Sequence, residues 1–452
     1  MMASEFNTDK LPIELGDGLV LRCAGKEDAQ ALADFNARQQ SDYGPDQPDE
    51  RVGAWTYDLM TKPHPTFQPS ECTIVEETSS GKIISTMNLI PQTWTYGGIP
   101  IKVGRPELVA TQVEYRHRGL VRLQFKVIHR WSAEHGEMLQ FITGIPYYYR
   151  QFGYEMALNM MGGRIGYPTH IPQKKEGDQE NYHIRPATEM DIPFISRLYD
   201  LGCRRSLVAC RWDEALWRYE LSGKGVNNIL REELRIVETL DGQPCGFFTH
   251  PPFTWGDMMV LHWYEILPNF SWSEVTPSVI RYLRGIYDGY DPDHGDKKPF
   301  GRFGFWLGED HPVYHVIPDS LPSVRRPYAF YLRVPDLPGF LQAISPVIEN
   351  RLAASALAGY SGEVKITFYR DGVRLVIEKG KLVSIEGWKP VPMAHAGNAG
   401  FPPHTFLQLL FGYRSMEMLK TSFADCWTDK DEYHVLLDAL FPRQPSDVWP
   451  VS

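Results

Sequence analysis

The segment Tyr115–Arg122 (YRHRGLVR) joins a strand-like run to a helical pattern and carries one glycine among basic residues. The run before it, Leu108–Val113, has the apolar and β-branched composition of a strand. The pattern after it places four apolar residues on one helical face: Leu120, Leu123, Val127 and Trp131. A helix N-terminus offers free backbone N–H groups and partial positive charge, and glycine allows close approach. The spacing therefore predicts a phosphate-binding turn, although a structural βα turn has the same composition.

A second feature that could do chemistry follows the apolar run Leu139–Ile145, which is predicted to be a buried strand. The sequence after it contains Tyr149-Arg150-Gln151-Phe152-Gly153-Tyr154. A positioned phenol such as that of Tyr149 can protonate a leaving group. The alternative is that Tyr149 belongs to an aromatic core cluster with the tyrosines and phenylalanine around it.

Taken in chain order, the strand, the R-x-x-G turn, the helix, the next strand and Tyr149–Tyr154 resemble the GCN5-related N-acetyltransferase (GNAT) superfamily. The acetyl-CoA signature of that superfamily is Q/R-x-x-G-x-G/A. Arg116 and Gly119 match it, whereas Val121 stands at the final small position. The resemblance implies an enzyme that transfers an acetyl group from acetyl-CoA directly to a primary amine. It also implies that a backbone N–H of the strand before the turn stabilises the oxyanion.

The resemblance assigns roles to individual residues. The strand end that would bind the pantetheine arm is Val109, Ala110 and Thr111. The amides that would hold the pyrophosphate are those of His117, Arg118, Gly119, Leu120, Val121 and Arg122. Gly144 and Ile145 match the opposite wall of the cofactor slot. Tyr149 matches the general acid that returns a proton to the CoA thiolate.

Over nearly its whole length the chain resembles the enhanced intracellular survival (Eis) type of acetyltransferase. That type implies acceptors such as aminoglycosides or polyamines, a hexamer, and a C-terminal carboxylate that acts as the base, here that of Ser452. Glu107 is a competing base, because it shares a strand face with Val109 and Thr111. Alternatively, the chain end at Ser452 is frayed and has no catalytic role. The alternative for Glu107 is a solvated or salt-bridged carboxylate at a strand edge.

The elements that must position these residues show a weak internal repeat. Leu21–Phe35 and Ile184–Leu198 align without a gap, and each has the pattern of a strand, a turn and a helix. In this alignment Arg22 matches Arg185, and Asp28 matches Asp191. The repeat indicates either two copies of one domain type or a coincidence between two βα starts.

The polar, proline-containing stretch Gly166–Tyr182 has linker composition, and the pattern changes again after Arg333–Phe340. These boundaries predict three α/β units, and the resemblance implies an α/β (α+β) chain with tandem GNAT folds, each a mixed sheet flanked by helices. The predicted domains are a catalytic GNAT domain (1–166), a second GNAT-like domain (183–335) and a sterol-carrier-protein-like α/β domain (336–452). The second copy lacks an R-x-x-G turn, so we expect it to be non-catalytic.

Composition excludes several classes of function. The 46 basic and 56 acidic residues give a formal net charge of −10, which disfavours nonspecific nucleic-acid binding. No apolar run approaches the ~18 residues of a membrane helix, and the N-terminus does not have a secretory pattern. The six cysteines and fourteen histidines lack the CxxC, HxH and HExxH spacings of metal sites. We therefore expect a cytoplasmic protein that uses no metal and contacts neither nucleic acid nor membrane. That it is a homo-oligomer is implied by the resemblance alone.

Two other functions remain open at this point. The chain could carry an apolar ligand in its C-terminal domain, or it could be a regulatory module that binds CoA without turnover. The R-x-x-G turn together with Tyr149 favours the enzyme, because a pure carrier needs neither.

Overall fold

The structure, a computed structural model, describes residues 10–175, 177, 179–293, 295–391 and 397–452. Positions 1–9, which include most of the N-terminal segment considered above, lie outside the described residues, as do positions 176 and 178 of the predicted linker. Mixed sheets flanked by helices make up the described chain, which confirms the predicted α/β class.

The helices and strands follow one another in three stretches. The first contains β1 (Ile13–Gly16), β2 (Leu19–Cys23), α1 (Ala29–Gln39), α2 (Glu50–Thr61), β3 (Cys72–Glu77), β4 (Lys82–Tyr96), β5 (Ile99–Thr111), α3 (Leu120–Glu134), β6 (Leu139–Ile142), β7 (Glu155–Met160) and β8 (Gly163–Gly166). The second contains β9 (Tyr182–Pro186), α4 (Ile192–Cys203), β10 (Val208–Cys210), α5 (Glu214–Arg218), β11 (Glu233–Thr239), β12 (Pro244–His250), β13 (Met258–Leu261), β14 (Trp263–Ile266), α6 (Trp272–Ile286), β15 (Arg302–Phe305), α7 (Pro312–Val316), β16 (Ser323–Arg325) and β17 (Tyr328–Arg333). The third contains α8 (Leu337–Ala343), α9 (Ser345–Ala353), β18 (Gly362–Thr367), β19 (Gly372–Glu378), β20 (Lys381–Trp388), β21 (Ala399–Gly400), α10 (Phe406–Leu410), α11 (Met416–Ser422), β22 (Trp427–Thr428) and α12 (Asp431–Leu440).

The largest sheet has the strand order β1-β2-β3-β4-β5-β6-β17-β7, and β10 pairs with β4. Strand β17 comes from the second stretch and lies between β6 and β7 of the first. In return, β8 of the first stretch pairs with β15 and β16 of the second. The two stretches thus exchange strands across the boundary predicted between 166 and 183. The three domain ranges remain predictions, and the exchange makes the second stretch part of the sheet that carries the predicted site.

The two copies of the internal repeat make the same contacts. Arg22 forms a bidentate pair with Asp28, with N···O distances of 2.8 and 2.7 Å. Arg185 forms the same pair with Asp191 at 2.7 and 2.8 Å. In each copy the aspartate also accepts a backbone N–H three residues before it, at 2.8 Å. Each aspartate therefore ties the end of its strand to the start of its helix.

Helix α3 packs against the central strands β4 and β5. Its predicted apolar face is confirmed, since Leu120, Leu123 and Val127 are buried and Trp131 is partly buried against the same core cluster. Packing of this face fixes the helix N-terminus beside the end of β5.

Glu137, between α3 and β6, gives a testable pH dependence of stability. Its side chain is buried, and burial raises the pKa of its carboxyl to about 7. Glutamate in an unfolded chain has a pKa of about 4.3, so the folded state keeps a proton that the unfolded state loses between about pH 4.5 and 7. Stability is therefore lost as the pH rises through this window.

We expect Glu137→Gln, which keeps the shape but removes the ionisation, to raise Tm at pH 8 and to change it little at pH 4.5. Thermal unfolding at both pH values measures the difference. Glu134→Gln is the control, because the Glu134 side chain is 60% exposed. An equal shift of Tm at both pH values in Glu137→Gln would contradict the assigned ionisation.

Candidate active site

A cleft of about 1100 Å³ opens between the end of β5, the start of α3 and the loop after β6. It is lined by most of the residues predicted from the sequence: Val109, Ala110, Thr111, His117, Gly119, Leu120, Val121, Arg122, Ile145 and Tyr149. The cleft thus brings together the turn before α3 and the loop after β6, which α3 and β6 separate in the sequence. Arg118, Gly144 and Ser452 do not belong to this lining.

One wall of the cleft is an unpaired strand edge. Strands β5 and β6 run parallel, and they pair only at Val103–Leu139 and Gly104–Gln140. The pairing of β5 with β4 shifts register between Thr86 and Asn88, opposite Leu108, whose φ is +52°. Among the described residues, no strand pairs with β5 on its β6 side beyond Gly104. The edge from Val109 onward therefore has no strand partner on this side within the described chain, which leaves room for an extended ligand beside it.

The turn before α3 has a backbone suited to binding an anion. His117 and Gly119 both have positive φ, +65° and +81°, and α3 begins at Leu120. A Cβ added at Gly119 would meet nothing within 4 Å, so the turn is open at this point. The first N–H groups of a helix have no partner within it. The guanidinium of Arg118 lies over the ring of Tyr115, 4.9 Å from its centroid.

The far wall is formed by a loop after β6 and a short 3₁₀ helix, Tyr148–Phe152. Tyr149 is 4% exposed, and its ring contacts those of Phe125, Tyr148, Tyr154 and Tyr331. Gly144 has a φ of +129°, and a Cβ there would lie 3.5 Å from the Tyr149 hydroxyl. Burial raises the pKa of Tyr149, and the nearby Glu107 carboxylate raises it further. The phenol is therefore protonated at neutral pH. Tyr149 is both a core residue and a cleft residue, so packing and chemistry do not exclude each other here.

Two contacts to this region were not foreseen from the sequence. Tyr331 of the exchanged strand β17 accepts a hydrogen bond from the Tyr147 backbone N–H and donates one to the Ile145 carbonyl at 3.4 Å. Gln40, at the end of α1, donates to the Val109 carbonyl at 3.1 Å and lines the cleft. Neither residue has a sequence signal, because each reaches the site through tertiary pairing alone.

The C-terminal residues are buried, so the frayed terminus considered above is not what the structure shows. Ser452 is 6% exposed and Val451 is 1% exposed. Arg105 of β5 donates to the Val451 carbonyl at 2.9 Å. The chain end therefore lies against the same strand that forms the cleft wall.

Arg105 also binds the other candidate base. Its Nε and a terminal nitrogen lie 2.8 and 2.7 Å from the Glu107 carboxylate. Glu107 is thus a salt-bridged carboxylate, as the structural alternative held, and it is also near enough to Tyr149 to influence its pKa. Arg105 therefore links Glu107 to Val451, the residue before Ser452.

Neither a metal-binding cluster nor a membrane-spanning helix occurs in the described part of the chain. Within the described residues, no group of three or more histidine, cysteine, aspartate or glutamate side chains is arranged to hold a metal ion. Over the same part of the chain, no helix combines the length and apolar character needed to cross a bilayer.

Comparisons with known proteins agree with this geometry. The family model of the GNAT acetyltransferase domain matches residues 26–157. A comparison with curated proteins finds no match. Three solved structures superpose over nearly the full chain. The first is a probable N-acyltransferase from Enterococcus faecalis V583 (15% identity, 95% of this chain and 97% of that chain, TM-score 0.64). The second is a GCN5-related N-acetyltransferase from Kribbella flavida (16%, 96% and 100%, 0.62).

The third is Eis1 from Mycobacterium abscessus (13% identity, 95% of this chain and 99% of that chain, TM-score 0.55). At these identities the likeness is one of fold. The family model covers the segment that carries the bulged strand, the R-x-x-G turn and Tyr149. The resemblance noted from the sequence is thus confirmed: residues 26–157 match the model of the GNAT acetyltransferase domain, and the chain has the fold of solved GCN5-related N-acetyltransferases.

Proposed function

We propose that this chain is an acetyl-CoA-dependent N-acetyltransferase that acylates a primary amine. The observation that carries the proposal is the position of Tyr149. It lies in one cleft with an unpaired strand edge and with the open amides of a helix N-terminus. A thioester cofactor needs these three features, because they accommodate its arm, its pyrophosphate and its leaving sulfur.

In this proposal the pantetheine arm lies along Val109–Thr111, and the pyrophosphate binds the amides of 117–122. Acetyl-CoA supplies the activated acyl group. The nitrogen of the acceptor forms a bond to the thioester carbonyl carbon, and the C–S bond breaks. Tyr149 gives its proton to the departing thiolate, and a base takes the proton that the amine loses. Transfer is direct, so no acyl-enzyme forms.

We assign the base to the carboxylate of Ser452, with Glu107 as the competing acceptor. Support comes from burial of the chain end against β5 and from its contact with Arg105. An acceptor that is cationic before it loses its proton, such as an aminoglycoside or a polyamine, suits a chain with a net charge of −10. The sterol-carrier-protein-like domain, the hexamer and the cytoplasmic location remain predictions.

The turn provides a direct test through Gly119→Asp. The new carboxylate would occupy the open space where the pyrophosphate is proposed to bind, so we expect loss of measurable CoA binding in calorimetric titration. Gly136→Asp is the matched control. Gly136 also has a positive φ, +70°, and a Cβ there would likewise meet nothing within 4 Å, but it follows the opposite end of α3. The control should bind CoA like the wild type. Wild-type affinity in folded Gly119→Asp would refute the assigned cofactor turn.

A further inference from the structure

We propose that His64 and Lys224 form a receptor for the terminal residue Ser452, so that the second stretch of the chain helps to position the catalytic base. The inference rests on the proposed function, in which the Ser452 carboxylate accepts the proton of the amine. His64 follows α2 in the first stretch, whereas Lys224 follows α5 in the second. The two residues meet only because the stretches share one core.

The peptide that precedes the terminal residue is fixed by three hydrogen bonds. Gln92 accepts the Val451 N–H at 3.2 Å and donates to the Val451 carbonyl at 3.3 Å. Arg105 donates to the same carbonyl at 2.9 Å. Gln92 and Arg105 are both buried, on β4 and β5. Two side chains of the sheet thus bind the backbone groups of Val451 and fix the position of the residue that follows it.

His64 faces the terminal carboxylate with a defined tautomer. Its Nδ1 accepts the backbone N–H groups of Thr66 and Phe67 at 3.2 and 2.9 Å. A neutral imidazole has one ring proton, so that proton lies on Nε2. Nε2 is 3.4 Å from a main-chain oxygen of Ser452. Burial lowers the pKa of His64 to about 4, so the ring is a neutral donor throughout the physiological range.

Lys224 supplies the positive charge of the receptor. Its ammonium donates to the Glu220 carboxylate at 2.5 Å, to the Leu230 carbonyl at 2.7 Å and to the Ser452 hydroxyl at 3.1 Å. An ammonium group has three N–H bonds, and all three are used. The Lys224 side chain is 1% exposed. Such a charge in direct contact with the terminal residue favours the ionised form of its carboxylate.

Other charged and titratable groups around the chain end complete the electrostatic setting. Glu220 partly offsets Lys224, and Arg105 lies on the side of Val451. Asp58 accepts the N–H of Gly225 at 2.6 Å, and the ring of Tyr219 packs on His64 with centroids 4.6 Å apart. Lys224 is the cation that touches Ser452 itself, so it is the group whose removal should change the basicity of the terminus most.

Two variants test the receptor. Ser452→Ala removes the hydroxyl that Lys224 binds but keeps the terminal carboxylate. The double variant Lys224→Met/Glu220→Gln removes both charges together, so it leaves no unpaired buried charge that could prevent folding. Ser446→Ala is the control, because Ser446 is a buried serine of the same tail whose hydroxyl accepts the Val208 N–H instead.

We expect kcat to fall about 10- to 100-fold in both test variants, because a displaced base loses its alignment with the amine. In the double variant we also expect the acidic limb of the kcat–pH profile to move up by about one unit. If Lys224 and Glu220 had only a structural role, the acidic limb of the kcat–pH profile would not shift. The control should retain the wild-type rate and profile. Folded test variants with the wild-type kcat and acidic limb would overturn the proposal.

A second readout does not depend on activity. Carboxypeptidase should release the terminal residue slowly from the wild type and from Ser446→Ala, and much faster from the double variant. Equal release from all of these proteins would overturn the receptor. If the wild type does not consume acetyl-CoA with any amine, the proposed function fails, and the release rates still decide whether the receptor exists.

Discussion

Tyr149→Phe is expected to lower kcat by about two orders of magnitude or more, with only a modest change in the acetyl-CoA dissociation constant. General acid–base catalysis typically contributes ~100- to 10,000-fold, and this variant removes the one proton that the thiolate would receive. Among the described residues, the Tyr149 hydroxyl has no hydrogen-bond partner, and its ring contacts would remain in phenylalanine. We therefore expect Tm to change little.

The natural control is Tyr148→Phe. Tyr148 also lines the cleft and lies beside Tyr149, and burial raises the pKa of its phenol as well. It should nevertheless retain most of the wild-type kcat, since adjacent side chains point in different directions and the Tyr149 hydroxyl is the one assigned to the leaving sulfur. Measuring kcat and Tm on the same preparations separates chemistry from packing. If Tyr149→Phe turns over like the wild type with the same acceptor, Tyr149 is not the acid.

Adding a few residues after Ser452 is expected to lower kcat sharply and to leave acetyl-CoA affinity nearly unchanged. The terminal carboxylate would become a peptide group, which cannot accept a proton at neutral pH. The proposed cofactor residues lie elsewhere, at the end of β5 and in the turn before α3, so binding should persist. Turnover and calorimetric titration of the extended protein measure the two effects.

Glu107→Gln tests the other candidate base. It removes the competing carboxylate and keeps its size and its ability to accept from Arg105. If the terminus is the base, Glu107→Gln should keep much more activity than the extended protein. Full activity in the extended protein, with a large loss in Glu107→Gln, would transfer the role of base to Glu107.

How much of the site the sequence reveals depends on the range of the interactions. The turn at 116–119 and the apolar face of α3 are local features, set by glycine conformation and helical period, and both appear where expected. The positions of strand ends are predicted less accurately from the sequence. β5 stops at Thr111 and β6 at Ile142, earlier than the apolar runs suggested. Apolar composition does not show where two strands separate to admit a ligand.

Apolar patterns also fail to show where one helix or strand ends and the next begins. The apolar spacing of Leu341–Leu357 predicts one helix, but within it α8 ends at Ala343 and α9 begins at Ser345. Pro346 lies in the first turn of α9, where its missing N–H costs no helical bond, so a new helix can begin there. In the second stretch, the apolar run Met258–Ile266 predicts one strand, but it forms β13 and β14, which belong to different sheets. Periodicity cannot reveal such breaks, because the apolar pattern continues through them.

No local sequence pattern predicts which distant residues meet in the folded chain. Tyr331 contacts the loop after β6 from an exchanged strand, and Lys224 reaches the chain end from the second stretch. Both depend on which sheet edges meet in the folded chain. The repeat aligns Arg22 with Arg185 and Asp28 with Asp191, but only the structure shows that each arginine pairs with the aspartate of its own copy.

The central claim is tested most directly by the release of CoA thiol from acetyl-CoA, measured with a panel of primary amines, and by mass analysis of the amine product. The full-length wild-type protein should release CoA only when an amine is present, in step with formation of the N-acetylated amine. Gly119→Asp should be inactive in the same assay, whereas Gly136→Asp should be active. Release of CoA without an acetylated product, or no release with any primary amine by a protein that binds acetyl-CoA, would contradict the assignment as an N-acetyltransferase.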